Sequence, residues 1–148
     1  MKKIDNFSAS LDVLKTADFE QAKESVIYRT GIVGQFNLTF ELAWKALQAV
    51  LRAHNVSGAE TGSPLSVLKL AYKTGFISDS EVWILMHKKR NVAIHEYSEE
   101  DVDALIILIR DSFIPAFEKL LNMLVEKEWR QKAIAGMTLS NEIFAIII

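Results

Sequence analysis

Residues 35–54 read QFNLTFELAWKALQAVLRAH, and the placing of apolar side chains in this stretch decides the fold. Successive residues of an α-helix lie about 100° apart around its axis. On that wheel Asn37, Glu41, Lys45, Gln48 and Arg52 fall within a polar arc of roughly 80°. Phe36, Phe40, Ala43, Trp44, Leu47, Val50 and Leu51 form one apolar side, which Leu38, Leu42, Ala46, Ala49 and Ala53 extend. The apolar arc covers about two-thirds of the circumference, whereas an ordinary amphipathic helix needs only about 100°. A helix of this kind is either the central member of a bundle or is covered in part by another chain.

Toward the N-terminus, Ile4, Phe7, Leu11 and Leu14 recur at helical spacing and predict a first helix over 3–16. Asp18 followed by Gln21 marks a helix start near Phe19, and Gly31 and Gly34 predict a bend or break at RTGIVG. NVSGAETGSP, residues 55–64, is a loop. Ser63 caps the next helix with Pro64 at its first position, and Gly75 ends it. Ser78 to Glu81 spells a capping box before VWILMHKKR. Ser98 to Asp101 spells the related signal before VDALIILIRDSFIPAFEKLLNML, a helix that Pro115 should kink. The sum is an all-α, up-and-down four-helix-type bundle with an additional short helix. It occupies residues 1–130 as one domain, followed by a tail, 131–148, whose end, IFAIII, is apolar and strand-prone.

Composition agrees. The chain has 148 residues, half of them hydrophobic, which is enough to bury a core. It has no cysteine, so disulfides, thiolate metal sites and thiol catalysis are excluded. The three histidines are scattered and no metal motif, Walker loop or serine-nucleophile motif occurs, so neither metal nor cofactor is expected. The N-terminus lacks the apolar core of a signal peptide, and no apolar run reaches membrane-spanning length; a cytoplasmic protein is expected. The net charge of -2 rules out a bulk electrostatic grip on nucleic acid, so any RNA contact must come from a local patch.

The chemistry concentrates in RNVAIHEY, residues 90–97. The Ser98 cap places His95, Glu96 and Tyr97 between two helices and Arg90 in the last turn of the first. Five residues of unbroken helix would point Arg90 and His95 about 140° apart. A helix end between them lets the histidine swing back. The structural account is that Lys88, Lys89 and Arg90 complement a helix dipole and the histidine bonds a carbonyl. The functional account is a general acid or base, His95, beside a phosphate-holding Arg90, with Asn91 adding a hydrogen bond. Those groups suffice for metal-independent attack of an RNA 2′-hydroxyl on its phosphate.

FNLTFELAWKAL, SPLSVLKLAYKTGFI and EVWILMHKKRNVAIHEY resemble, in sequence and order, the nucleotidyltransferase substrate-binding protein family, a branch of the HEPN superfamily. The resemblance spans residues from about 4 to 127. Its most specific parts are Phe40 to Lys45 and Arg90 to Tyr97. The family usually carries an acidic residue near Lys89, where this chain is basic. The resemblance implies a bundle that forms a homodimer and works with a separate minimal nucleotidyltransferase as its substrate-binding or assembly subunit. In the related HepT-like toxin branch it implies instead a ribonuclease. There Arg90 and His95 would be catalytic, Asn91 would assist, and Tyr97 would be silenced by AMPylation.

Overall fold

The computed structural model describes residues 1–90 and 98–147, with side chains through residue 136. In chain order the elements are α1 (Lys2–Lys15), a 3-10 turn (Gln21–Lys23), α2 (Val26–Ala53), α3 (Pro64–Lys73) and α4 (Ser80–Arg90). After them come α5 (Glu99–Leu108), a π turn (Ile109–Phe113) and α6 (Ile114–Ile147). The bundle is assembled around α2, which packs on α1, α3, α4, α5 and α6. Phe36, Phe40, Ala43, Ala46, Leu47 and Leu51 are completely enclosed. The wide apolar arc is therefore met within the chain, and α2 is the central helix. Leu38, half exposed, escapes this cover.

The polar caps explain where helices begin. Asp18 accepts hydrogen bonds from the amides of Glu20 and Gln21 at 3.0 and 3.2 Å. The helix it starts lasts one 3-10 turn, and the long helix expected from Phe19 begins later, after Ser25, whose hydroxyl accepts from the Tyr28 amide at 3.1 Å. Gly31 and Gly34 do not break α2, because Ile32 and Val33 between them and Phe36 after them are pinned by burial. Ser63 and Pro64 open α3 as their chemistry dictates, and Gly75, at φ 80°, follows its end. The capping box at Ser78 is not formed: α4 starts at Ser80, and the Ser78 hydroxyl accepts from Lys119 at 3.2 Å. Ser98 caps α5 through the Asp101 amide.

The disturbance expected at Pro115 takes the form of the π turn just before it. Proline has no N–H for the carbonyl four residues back, and its ring crowds that carbonyl. Widening the preceding turn to i→i+5 bonding relieves both. Beyond it, α6 runs as one helix past residue 130 and through the strand-prone end to Ile147. Gln131 donates to the Ala53 carbonyl at 2.5 Å, tying α6 to the end of α2.

The core is an aromatic stack across the layers. Phe36 stacks on Phe113 at 5.1 Å, and Phe117 meets Phe7 and Trp83 edge-on at 6.0 and 5.6 Å. Phe40 closes the series against Trp83 at 6.2 Å. All six rings are fully buried, and truncating any one to alanine should cost about 3–5 kcal/mol. One polar seam crosses the interior: the Ser10 and Thr39 hydroxyls bond at 2.7 Å, and Gln35 donates to Ser10.

Candidate functional site

Arg90 is the last residue of α4, and its side chain turns back onto α2 rather than into solvent. The guanidinium lies over the Phe40 ring, 5.2 Å from its centroid. Nη1 donates to Glu41 Oε1. The other carboxylate oxygen accepts from Trp44 Nε1 at 3.1 Å and sits 3.9 Å from the Lys45 ammonium. Glu41 is thus a hub for three side chains. Each spacing has a helical cause: Trp44 and Lys45 lie three and four residues on, on the same side of α2.

The balance of forces at Arg90 is unequal. Its side chain is only 14 % exposed, whereas Glu41 is 39 % exposed. The arginine has lost most of its hydration and depends on the carboxylate and the ring face to replace it. Its Nε is buried without a hydrogen-bond acceptor among the described residues, and Asn37 Oδ1, one turn before Glu41, is buried there without a donor. A guanidinium held along one edge by Glu41 keeps other N–H groups for a second oxyanion.

His87 stands one turn before Arg90, with its ring 6.3 Å from Phe40. Burial, and then the neighbouring Arg90 charge, hold its basicity below the ordinary histidine value. Both causes favour the neutral imidazole beside a fixed cation.

Of the residues singled out in the sequence, Arg90 is brought into this cluster. Asn91, His95 and Tyr97 lie outside the described residues. Sequence reasoning misses Phe40, Glu41 and His87 as site residues. Glu41 and Arg90 are 49 positions apart, so no local pattern joins them. A signal is nonetheless present: Asn37, Glu41 and Lys45 recur every fourth residue on a helix that is mostly apolar. Among the described residues no group of histidines and carboxylates is placed to hold a metal. No helix there is long and apolar enough to cross a membrane.

The fold and the cluster define a class: small helical bundles in which the central helix presents a carboxylate to an arginine at the end of a later helix. Residues 2–126 match the family described as nucleotidyltransferase substrate binding protein like, and the chain belongs to that family. A Thermus thermophilus protein of known crystal structure is 28 % identical, with a TM-score of 0.62, over 82 % of this chain and 97 % of that one. A Haemophilus influenzae structure, titled as revealing the fold of a substrate binding domain of a nucleotidyltransferase, shares the fold at 21 % identity. Its TM-score is 0.67, with 82 % of this chain and 98 % of that one covered. A search of curated proteins gives no significant match. Arg90, which opens one of the two segments that carry the resemblance in sequence, meets Phe40 and Glu41 of the other here.

Proposed function

We propose that this chain is the helical partner subunit of a minimal nucleotidyltransferase, holding a phosphate-bearing substrate for it or assembling with it. The observation that carries this reading is the fixed Arg90. A guanidinium clamped between a carboxylate and an aromatic face is preorganised, so it binds an oxyanion without first losing rotamer freedom. The catalytic carboxylates and metals of nucleotidyl transfer come, in this reading, from the partner. In this reading the chain works as a homodimer. The exposed strip Ile27, Gly31, Gly34 and Leu38 on α2 supports that, since all four point the same way and none of the described residues covers Ile27 or Leu38 fully. The test is co-expression with a minimal nucleotidyltransferase from the same organism. A stable complex, in which Arg90→Ala keeps assembly but loses transfer, supports the proposal. A chain that never associates with the transferase overturns it.

A second reading draws on the same arginine. Arg90, with His95 five positions on and Asn91 beside it, would form a metal-independent ribonuclease, with Tyr97 as the site of silencing AMPylation. The fixed, desolvated Arg90 favours it because such a group stabilises charge developing on phosphate. RNA cleavage that persists in EDTA and disappears in His95→Ala would establish this alternative. Cleavage retained in that variant would refute it.

A further inference from the structure

A second site lies away from Arg90. The 3-10 turn, the first turns of α2, and α5 with its π turn enclose a cavity of about 250 Å³. Its floor is apolar: Phe19, Ala22, Ile106 and Ile107. Its rim carries Lys23, Arg29 and Arg110 against Asp103. Three cations and one anion line it, and the carboxylates that pair with Lys23 and Arg110, those of Glu20 and Asp111, lie outside the lining.

Arg29 is built into this wall. Its side chain is 11 % exposed. Nη1 donates to the Ala22 carbonyl at 3.0 Å and the Lys23 carbonyl at 3.4 Å. Nε is 4.0 Å from Asp103, a distance at which the carboxylate only partly neutralises it. Arg110 comes from the π turn, a distortion that recurs at functional sites. Its guanidinium is gripped at 2.7 and 3.0 Å by the adjacent Asp111. Lys23 pairs with Glu20 at 3.0 Å. Both of these pairs are open to water, and such pairs contribute little, so an incoming anion can exchange with them at small cost.

We infer that this cavity is a binding site for a small molecule with a compact apolar body and one oxyanion, a carboxylate or a phosphate. The body, the size of a single ring, rests on Phe19, Ile106 and Ile107, and the anion lies between Arg29 and Arg110. The volume falls below that of drug-sized pockets, which excludes a whole dinucleotide. Two other cavities among the described residues lack this pairing of apolar floor and cationic rim: one is edged by Asp5 and Glu126, another by no charge at all. The site is independent of the proposed function, because Arg29 and Glu41 are twelve residues apart on α2, about 18 Å along its axis.

The experiment is an amide NMR titration of the full chain with phenyl phosphate, benzoate, inorganic phosphate and benzyl alcohol. Phenyl phosphate or benzoate should give saturable shifts at Ala22, Lys23, Arg29 and Ile107. Whichever binds more tightly identifies the anion. Inorganic phosphate and benzyl alcohol should each bind about tenfold more weakly or worse, since each lacks half of the recognition. Arg110→Gln should weaken binding about tenfold, and Ile107→Asp should abolish it. Both positions are about half exposed, 42 % for the Arg110 side chain and 50 % for Ile107, so neither change threatens folding. Arg90→Ala should bind as wild type. Shifts that never saturate, equal affinity for inorganic phosphate, or unchanged affinity in both cavity variants would overturn the inference.

Discussion

Gly31 and Gly34 occupy the interior of a 28-residue helix, where glycine costs about 0.5–1 kcal/mol relative to alanine. Both are exposed, and a Cβ built on either meets nothing within 4 Å. Replacing both with alanine should therefore stabilise the isolated chain by about 1–2 kcal/mol. For a domain of this size that is a rise in Tm of roughly 2–8 °C. Urea unfolding at low protein concentration, where association is suppressed, measures the gain without a contribution from any dimer. A double variant no more stable than wild type would refute the reasoning that these glycines have no packing role within the chain. The same variant bears on the strip they share with Ile27 and Leu38. If a second copy packs closely there, two methyl groups at the contact should weaken association even as they stabilise the monomer. Sedimentation as a function of concentration separates the two effects. A dimer that forms as readily as wild type would remove this strip from the interface.

Two further outcomes follow from the arginine cluster. Glu41→Gln keeps an acceptor for Trp44 but takes the counter-charge from Arg90. It should cost about 1–2 kcal/mol, less than a fully buried pair because the carboxylate reaches water. Glu126→Gln, which breaks the exposed pair with Arg130, should cost under about 0.5 kcal/mol, and equal losses in the two would deny Glu41 its anchoring role. His87 supplies a pH dependence. Its basicity is depressed in the folded chain, so the unfolded chain takes up its proton first. Its contribution therefore falls as pH drops through the ordinary histidine value of 6.5 and levels off below the folded value. The stability difference between wild type and His87→Gln, followed by urea unfolding from about pH 7.5 to 5.5, should shrink toward acid. A constant difference would show that His87 is not held neutral.

The elements most legible in the sequence are those whose signals are local. Ser63 and Ser98 accept from amides three residues on, and Pro64 fixes its own backbone angle, so their effect can be read without knowing the fold. Asp18 is legible in the same way as a hydrogen-bonding group. What its chemistry does not reveal is how soon the helix ends, because that is set by the packing of Ala22 beneath α2. Gly31 and Gly34 mislead for the same reason. Glycine weakens a helix, but Ile32, Val33 and Phe36 are held in the core and outweigh it. In the site, Arg90 stands out by motif. Its partner does not, because a contact between residues 49 positions apart exists only once α4 is laid against α2. On the wheel Glu41 looks like one more solvated carboxylate.

The π turn at Ile109–Phe113 has a consequence for anyone comparing this chain with its relatives. A π turn holds one residue more than the α turn it replaces, while the helix on either side keeps its face to the bundle. Val102, Leu105 and Ile106 before it, and Phe117, Leu120 and Leu124 after it, all point inward. The chain has thus absorbed the equivalent of a single inserted residue without turning its own interior outward. A relative with an uninterrupted helix should align with a one-residue gap within these five positions. Unless that gap is opened, every correspondence on one side of it, including the one for Arg110, is displaced by a residue.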